Sequence, residues 1–246
     1  MALHPDLQGR IALVTGASRG IGKAIARTLA EAGAAVALNY RERTDAAQTS
    51  LAEIRTVGRV AEAFRADVSE RGEVERLVKD VEARFGPIDI LVNNAGVARP
   101  CAIEDLSEED FDRTIRENLK SAFLCTQAVL PGMRARGFGR IVMISSGAAR
   151  AAGLVGVHYN ASKAGMEGLA RGYAARVAKE GVTVNVLAPS LIATEMIKPH
   201  RADNVARIPV GRLGAVDEIA SVVLTVVGNA YMTGQTVAVN GGMYFG

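Results

Sequence analysis

The stretch that decides the fold is Arg10 to Gly22, which reads RIALVTGASRGIG. Its first half is a short apolar run that ends at Gly16, and such a run predicts a buried strand. Its second half opens a segment with helical spacing that stops at Gly33, a predicted C-terminal cap. Glycines at such a junction let the backbone turn sharply and let an anion approach the helix N-terminus. The stretch therefore predicts a strand, an anion-binding loop and a helix.

The alternation of strand and helix continues along the chain. Apolar runs predict further strands at 35–39, 60–66, 88–92, 140–145, 182–187 and 236–239. Helical periodicity predicts helices at 20–32, 45–57, around 74–81, and at 107–133, 159–179 and 216–227. Because the strands are continuous apolar runs, we expect a sheet that is buried on both faces. The fold class is therefore α/β, a doubly wound parallel sheet of about seven strands in a three-layer α/β/α sandwich. No repeat or linker interrupts the pattern, so residues 1–246 are expected to form a single domain.

Composition narrows the class of protein. The chain has 246 residues, 49% of them hydrophobic and 22% charged, which is typical of a globular protein. Aromatic residues make up 4% and Trp is absent, which argues against a nucleic-acid partner. Cys101 and Cys125 fit no metal spacing, so no metal is expected. The polar segment 1–10 lacks the apolar core of a secretory signal, and the apolar run 219–227 is too short to span a bilayer. We expect a cytoplasmic protein with no membrane association.

The glycine loop has competing interpretations. Its spacing, Gly-x-x-x-Gly-x-Gly, is a variant of the dinucleotide-binding fingerprint, and a glycine-rich turn without a ligand is the alternative. A nucleoside-triphosphatase loop is disfavoured because the glycine spacing before Lys23 is wrong and Ala24 stands where Ser or Thr would hold magnesium. Residues 16–20 also match a hydrolase nucleophile elbow. Only one strand precedes that elbow, and His158 and His200 are the only histidines downstream of it, so a hydrolase is disfavoured.

A second group of chemically active residues is Tyr159 and Lys163, with Ser146 thirteen residues upstream of the tyrosine. On a helix, the four-residue spacing puts the phenol and the ammonium on one face. A phenol titrates near ~10, and an adjacent cation lowers that pKa by favouring the phenolate. Hydride delivery to a ketone requires such a tyrosine acid and a hydroxyl that holds the carbonyl oxygen.

With these residues and the glycine loop together, the chain resembles the short-chain dehydrogenase/reductase family nearly end to end. Other motifs of that family occur in order along the chain: Asp67-Val68, Asn93-Asn94-Ala95-Gly96, Asn118 in the fourth helix, Gly234-Gln235 and Gly241-Gly242. Within the family, the chain is most similar to the 3-oxoacyl-acyl-carrier-protein reductases. The resemblance implies a Rossmann-type fold that binds a nicotinamide dinucleotide.

The resemblance also implies a role for each matching residue. Tyr159 donates a proton to the carbonyl oxygen, and Ser146 polarises that oxygen. Lys163 binds the nicotinamide ribose and lowers the tyrosine pKa, while Asn118 holds a water that links Lys163 to solvent. Thr194 binds the nicotinamide carboxamide. The positions expected to contact the cofactor are Gly16, Ser18, Arg19, Gly20, Ile21, Gly22, Tyr40, Arg41, Asp67, Val68, Asn94, Ala95, Gly96, Tyr159, Lys163, Pro189 and Thr194.

Charge at the end of the second strand predicts which cofactor is used. In relatives that prefer NAD, an acidic residue there binds the adenosine ribose and repels a 2′-phosphate. Here Tyr40 and Arg41 occupy the position, and the first carboxylate is Glu42. Arg41, helped by Arg19, can pair with a phosphate in the forked geometry that a guanidinium favours. We therefore predict NADP(H).

The resemblance implies an oxidoreductase that interconverts a ketone and a secondary alcohol. The expected substrate is a 3-oxoacyl thioester of acyl carrier protein or coenzyme A. Two departures weaken that choice: the family's Pro-Gly is Pro189-Ser190 here, and Asn240 stands where an aspartate is common. A reductase of a sugar, steroid or xenobiotic ketone is the alternative, and a non-catalytic cofactor-binding sensor is a more remote one. Loops 98–104 and 190–209 are expected to select the substrate.

One helix also bears on assembly. Small residues form a stripe along the predicted Tyr159 helix: Ala161, Gly165, Gly168, Gly172 and Ala175. Members of the family commonly pair this helix across a two-fold axis, so a homotetramer or homodimer is expected. Tight packing within the subunit is the alternative. The apolar tail 243–245 favours association.

Overall fold

The structure is a computed structural model that describes residues 5–56, 60–195 and 205–245. Its strands are β1 (Ile11–Val14), β2 (Ala35–Tyr40), β3 (Ala61–Arg65), β4 (Ile90–Asn93), β5 (Gly139–Ile144), β6 (Val182–Pro189) and β7 (Thr236–Val239). They form one sheet in the order β3-β2-β1-β4-β5-β6-β7, and every adjacent pair is parallel. The predicted parallel sheet of seven strands is confirmed.

Helices cover both faces of this sheet. They are α1 (Gly20–Glu31), α2 (Thr44–Thr56), α3 (Arg71–Phe85), α4 (Glu108–Thr114), α5 (Ser121–Ala135), α6 (Val157–Val177) and α7 (Val216–Gly228). Buried side chains of α1, α2 and α7 form one apolar cluster with the sheet, and those of α3, α5 and α6 form a second. The predicted three-layer sandwich is therefore confirmed. The predicted end of α2 at 57 and the segments 1–4 and 196–204 lie outside the described residues.

The central strands are apolar because no face of them meets water. Every residue of β1, β4, β5 and β6 is buried. Within β1, Leu13 belongs to the cluster of α3, α5 and α6, while Ala12 and Val14 belong to the other. Full burial of one such aliphatic side chain stabilises the fold by about 1.5–3 kcal/mol. The continuous apolar runs in the sequence thus reflect a sheet with two covered faces.

The long helix predicted over 107–133 is not uniform. Its start is capped by Ser107, whose hydroxyl accepts the backbone N–H of Asp110 at 3.1 Å. Between α4 and α5, residues Ile115–Lys120 form a π-helical segment. Such segments widen a helix by one residue per turn and are frequent at functional sites. Glu117 and Asn118 lie in this segment, and both are buried.

The strand order creates a crevice at one edge of the sheet. From β1 the chain moves outward to β2 and β3, and it then crosses to the other side of β1 to form β4. The connections that follow β1 and β4 therefore diverge at the carboxyl ends of these strands, where open α/β sheets bind their ligands. Among the helices of the described ranges, none is both long and apolar enough to cross a membrane.

Candidate active site

Two glycines shape the loop between β1 and α1. Gly16 has a φ of 62°, and a Cβ there would lie 2.9 Å from the Cα of Ala95. A Cβ at Gly22 would lie only 2.4 Å from the side-chain nitrogen of Asn94. Both contacts are too short for any side chain. The loop therefore passes against the end of β4 only because these positions carry no Cβ.

The local structure at the N-terminus of α1 favours the binding of an anion. Its N-cap, Arg19, is extended and makes no side-chain cap hydrogen bond, and the first turn contains no acidic residue. The first N–H groups of a helix have no partner within the helix, and the helix dipole adds positive potential at this end. The local structure of Gly20, Ile21 and Gly22 therefore fits a diphosphate, as their sequence predicts.

Two polar side chains fix the loop against β4. The Thr15 hydroxyl accepts the backbone N–H groups of Asn94 and Ala95, each at 3.0 Å. The Asn94 amide donates to the carbonyl oxygens of Thr15 at 2.9 Å and Gly16 at 3.0 Å. The side chain of Asn94 is thus used to hold the loop. Thr15 was not among the predicted site residues, because a threonine at a strand end has no distinctive sequence signal.

The predicted Ser146, Tyr159 and Lys163 meet in one cleft. Ser146 follows β5, and the other two lie in the first two turns of α6. The cleft has a volume of about 500 Å³. Other predicted positions that line it are Gly16, Arg19, Gly20, Ile21, Gly22, Asn94, Gly96, Pro189 and Thr194. The Nζ atom of Lys163 lies 5.8 Å from the centre of the Tyr159 ring, so the four-residue spacing does put both groups on one face.

The Tyr159 phenol differs from its prediction in one respect. Burial is the largest influence and raises its pKa, and a hydrogen bond with the Ser146 hydroxyl lowers the pKa by less. The net pKa lies above the ordinary value. The expected lowering by Lys163 is absent because the ammonium is directed elsewhere. A phenol with this pKa is protonated at neutral pH and can act as an acid.

Lys163 points to the end of β5. Its Nζ atom donates to the carbonyl oxygen of Ile144 at 2.9 Å. The residue is 4% exposed, and burial lowers its pKa from 10.5 to about 8. The neighbouring Ser145 hydroxyl donates to the backbone carbonyl of Lys163 at 2.9 Å, so it fixes α6 to the strand. Ser145 thus has a structural role.

Asn118 ties the π-helical segment to the rest of the site. Its side-chain oxygen accepts the N–H of Val97 at 2.7 Å, and its amide donates to the carbonyl of Val97 at 3.0 Å. The amide also donates to the Ser162 hydroxyl at 3.0 Å, which in turn donates to the carbonyl of Tyr159 at 2.8 Å. Asn118 therefore sets the position of the first turn of α6. Its predicted role in holding a water remains a prediction.

A second groove, of about 220 Å³, continues the crevice toward β2 and β3. The predicted positions that line it are Gly16, Ser18, Arg19, Arg41, Asp67, Val68, Asn94, Ala95 and Gly96. Asn39 also lines it: its side-chain oxygen accepts the N–H of Gly16 at 3.3 Å, and its amide donates to the carbonyl of Ala66 at 3.0 Å. The sequence interpretation missed this residue, which joins β2, the glycine loop and the end of β3.

Tyr40 is not brought to the groove. Along β2, Val36, Leu38 and Tyr40 all belong to the apolar cluster of α1, α2 and α7. Side chains of a strand alternate between faces, so Tyr40 lies on the covered face of the sheet. Of the neighbouring residues 39–41, Asn39 and Arg41 line the groove and Tyr40 does not, and the expected contact of Tyr40 with the cofactor stays a prediction.

The two arginines predicted to bind a phosphate are both paired with carboxylates. Arg19 lies 2.5 Å from Glu195. Arg41 lies 2.9 Å from Glu42, 3.3 Å from Glu117 and 3.5 Å from Asp67. Glu117 is a further groove residue that the sequence interpretation missed. Its only local signal is Arg113 at four residues' spacing, because its other partners come from distant parts of the chain.

The crevice, the glycine loop and the open helix N-terminus define a nucleotide-binding α/β protein. Residues 10–205 match the profile of the family described as short chain dehydrogenase. The chain belongs to this family, whose members are oxidoreductases that act on alcohol and carbonyl groups with a nicotinamide cofactor. In the described ranges, no three His, Cys, Asp or Glu side chains are grouped to hold a metal ion.

Curated relatives match the chain over almost its whole length. A 3-oxoacyl-[acyl-carrier-protein] reductase of Synechocystis sp. is 42% identical, with 96% of this chain and 98% of that protein covered. The 3-oxoacyl-[acyl-carrier-protein] reductase FabG of Escherichia coli is 39% identical, with 97% and 99% covered. The predicted similarity to this branch of the family is thereby confirmed.

Solved structures of the same family share the fold. A dehydrogenase/reductase from Sinorhizobium meliloti has a TM-score of 0.90 at 34% identity, with 97% of this chain and 96% of that chain covered. A short-chain dehydrogenase/reductase mutant from Serratia marcescens has a TM-score of 0.91 at 36% identity, with 97% and 99% covered. The predicted Rossmann-type fold is therefore confirmed.

Proposed function

We propose that this protein is an NADP(H)-dependent oxidoreductase that interconverts a 3-oxoacyl thioester and its 3-hydroxyacyl counterpart. The proposal rests on the convergence of Ser146, Tyr159 and Lys163 on one cleft beside the glycine loop. The names of two curated relatives at about 40% identity support the 3-oxoacyl group. Acyl carrier protein or coenzyme A would carry that group.

The residues that would hold the cofactor follow the crevice from one end to the other. Arg41 and Arg19 are assigned to the adenosine phosphate, the first amides of α1 to the diphosphate, and Tyr159 and Lys163 to the nicotinamide ribose. The remaining predicted positions, other than Tyr40, line the same two grooves. Bound there, the cofactor supplies a hydride to the carbonyl carbon of the substrate. The protein's own residues then have to orient the carbonyl and supply a proton.

Tyr159 supplies that proton. The phenol is protonated at neutral pH and can donate to the carbonyl oxygen as negative charge develops there. The Ser146 hydroxyl is the second donor to the same oxygen. The phenolate that remains is stabilised by the hydrogen bond from the Ser146 hydroxyl. In the reverse direction, the same phenolate accepts the proton of the alcohol.

The choice of NADP(H) rests on charge at the β2 end of the crevice. Cations and carboxylates are equally numerous along the groove: Arg19, Arg41 and Arg43 against Glu42, Asp67 and Glu117. A 2′-phosphate in this groove would therefore compete with the carboxylates for Arg41 as a partner. Arg41→Ala removes that partner, and we expect kcat/KM for NADPH to fall at least about ten-fold, with kcat/KM for NADH affected less. Equal effects on both cofactors would refute the assignment.

The direct test follows NADPH absorbance with acetoacetyl-CoA, an acyl-carrier analogue and a panel of simple ketones, sugars and steroids. We expect turnover to be fastest with a 3-oxoacyl thioester and to be lost in Tyr159→Phe, while that variant still binds NADPH. Turnover of another ketone class alone would favour the alternative substrates. One observation does favour a polar ketone: Ser190 presents a hydroxyl to the cleft where the family pattern has glycine. A protein that binds NADPH but turns over nothing would be a sensor.

We also propose a homotetramer or homodimer through α6. Of the small residues on this helix, Gly165 packs against Leu119 within the subunit. Gly168 and Gly172 face open space apart from arginine side chains of the same helix. The tail residue Phe245 is 92% exposed, which favours a partner. Sedimentation at micromolar concentration should give a species of at least about twice the chain mass of 25.8 kDa. A species at the single-chain mass would refute the proposal.

A further inference from the structure

A buried carboxylate that the proposed chemistry does not use lies at the centre of an arginine cluster. Glu117 is 8% exposed. Its carboxylate lies 2.6 Å from Arg99, 3.3 Å from Arg41 and 3.5 Å from Arg113. Burial by itself would raise the pKa of Glu117, but its hydrogen bonds and attraction to Arg99 and Arg41 hold the net pKa below the ordinary value. The residue is therefore an anion at neutral pH.

The pair between Arg41 and Glu117 crosses the groove. Arg41 follows the carboxyl end of β2, and Glu117 lies in the helical region after β4. In the sheet, β1 separates these two strands. The pair therefore has to pass over the carboxyl end of β1, where the glycine loop begins. Both residues line the groove of about 220 Å³ that the proposed function assigns to the adenosine part of the cofactor. A nucleotide that enters this groove therefore meets the pair.

Opening the pair leaves neither the Glu117 carboxylate nor the Asp67 carboxylate without a partner. Glu117 keeps Arg99 at 2.6 Å and Arg113 at 3.5 Å. Asp67, the third carboxylate on Arg41, keeps a hydrogen bond from the backbone N–H of Ser69 at 2.9 Å. A buried charge without a partner would cost several kcal/mol, but these remaining partners avoid that cost. The cost of opening therefore falls on the Arg41 guanidinium, which loses Glu117 and keeps Glu42 at 2.9 Å and Asp67 at 3.5 Å.

We propose that the Arg41–Glu117 pair is a gate over the adenosine groove, and that either cofactor has to open it in order to bind. A cofactor with a 2′-phosphate gives Arg41 a dianion in exchange for Glu117. A cofactor without that phosphate opens the pair with no such exchange. Glu117 therefore weakens the binding of both cofactors by the same opening cost, and the 2′-phosphate offsets that cost only for NADP(H). This inference rests on the proposed function.

A simpler role for Glu117, repulsion of an incoming phosphate, predicts a different effect on cofactor binding. If its charge only repelled an incoming phosphate, neutralising it would strengthen NADPH binding and leave NADH unchanged. If the pair is a gate, neutralising either member strengthens NADH binding. Whether NADH binding strengthens or stays unchanged therefore separates the two roles, and equilibrium binding measures this without turnover.

The experiment titrates the protein with NADPH and with NADH and follows nicotinamide fluorescence. It compares wild type, Glu117→Gln, Arg41→Gln and a control, Glu109→Gln, which neutralises an exposed carboxylate on α4. Thermal unfolding of each variant shows whether it is folded. We expect the Kd for NADH and the Kd for NADPH each to fall about three- to five-fold in Glu117→Gln, as for the loss of one partly exposed ion pair that both cofactors have to open. The control should match wild type.

Arg41→Gln keeps the test decisive if Glu117→Gln does not fold. It removes the other member of the pair from a less buried position, so it should bind NADH about three- to five-fold more tightly while NADPH binding weakens. Unchanged NADH binding in the folded variants overturns the gate and leaves the proposed function standing. Stronger NADPH binding alone in Glu117→Gln overturns it in favour of repulsion. Wild-type protein that binds neither nucleotide overturns the proposed function together with the gate.

Discussion

The Nζ atom of Lys163 lies 2.9 Å from the carbonyl oxygen of Ile144, where burial has removed the ammonium from water. A neutral carbonyl only partly replaces the lost hydration, and the lowered pKa of about 8 reflects that deficit. A shift of this size corresponds to roughly 3 kcal/mol of destabilisation when the lysine is charged. The position of Lys163 thus carries a cost in stability that a catalytic role would explain.

Lys163→Met should therefore stabilise the protein while it removes activity. Methionine fills a similar volume without a charge, so the gain at pH 7 is expected to be about 1–3 kcal/mol after the loss of the hydrogen bond. Urea unfolding at pH 7 measures it. Lys79→Met, on the exposed face of α3, is the control and should change little. A destabilised Lys163→Met would contradict the account of this buried charge.

The same group predicts how stability depends on pH. The folded-state pKa of Lys163 is about 8 against 10.5 for the free side chain, so the unfolded chain binds more protons between these values. Stability from this group should rise by up to roughly 3 kcal/mol from pH 8 to pH 10.5. Unfolding at pH 7.5 and pH 10, compared between wild type and Lys163→Met, isolates it. Identical pH dependence in the two proteins would rule out the lowered pKa.

Asn118→Ala should destabilise the fold at the π-helical segment. The substitution removes the partner of both backbone groups of Val97 in a partly buried place, and it removes the buried hydrogen bond to the Ser162 hydroxyl. We expect a loss of about 2–4 kcal/mol in the free energy of unfolding. Arg116→Ala, an exposed residue of the same segment, serves as the control. A loss no larger than that of the control would show that these hydrogen bonds are weak.

Gly96→Ala tests the space between two candidate catalytic residues. The added Cβ would lie 3.1 Å from the side-chain oxygen of Asn118 and 3.5 Å from the Nζ atom of Lys163. We expect kcat to fall at least about ten-fold, because small displacements of catalytic groups are costly, while Tm changes by only a few degrees. Gly72→Ala, whose Cβ would meet nothing within 4 Å, should keep full activity. Full activity in Gly96→Ala would mean that catalysis does not require the space between Asn118 and Lys163 to be free.

Tyr40→Asp tests whether the Tyr40 side chain lies on the covered face of β2. A carboxylate on the covered face of β2 has no polar partner in the cluster of α1, α2 and α7, so we expect a loss of at least about 3 kcal/mol. Tyr40→Phe keeps the ring and should remain close to wild type. Circular dichroism during urea unfolding measures both. A well-folded Tyr40→Asp with altered cofactor preference would instead indicate that the side chain at position 40 contacts the cofactor.

The sheet could be predicted from the sequence because most of its strands are apolar runs bounded by polar residues or glycine. The convergence of Ser146, Tyr159 and Lys163 could be predicted from spacing and from family resemblance. The place of Tyr40 on the covered face of β2 could have been predicted from its alternation with Val36 and Leu38. The π-helical segment left no signal, since apolar spacing does not reveal a change in hydrogen-bond step.

The partners of Arg41 could not be predicted for a different reason. Glu117 is 76 residues away in the chain, and the two meet only because β1 lies between β2 and β4 in the sheet. Whether an arginine is free for a phosphate or already paired depends on such tertiary contacts. A charge count along the sequence therefore indicated the right residues without their competitors.

Transfer of a labelled hydride tests the central claim most directly. The protein is incubated with NADPH deuterated at both positions of nicotinamide C4 and with acetoacetyl-CoA, and the hydroxy product is analysed by mass spectrometry. The account predicts one deuterium at the former carbonyl carbon with wild type, and no product above background with folded Tyr159→Phe. A hydroxy product without deuterium, or equal product from Tyr159→Phe, would contradict it.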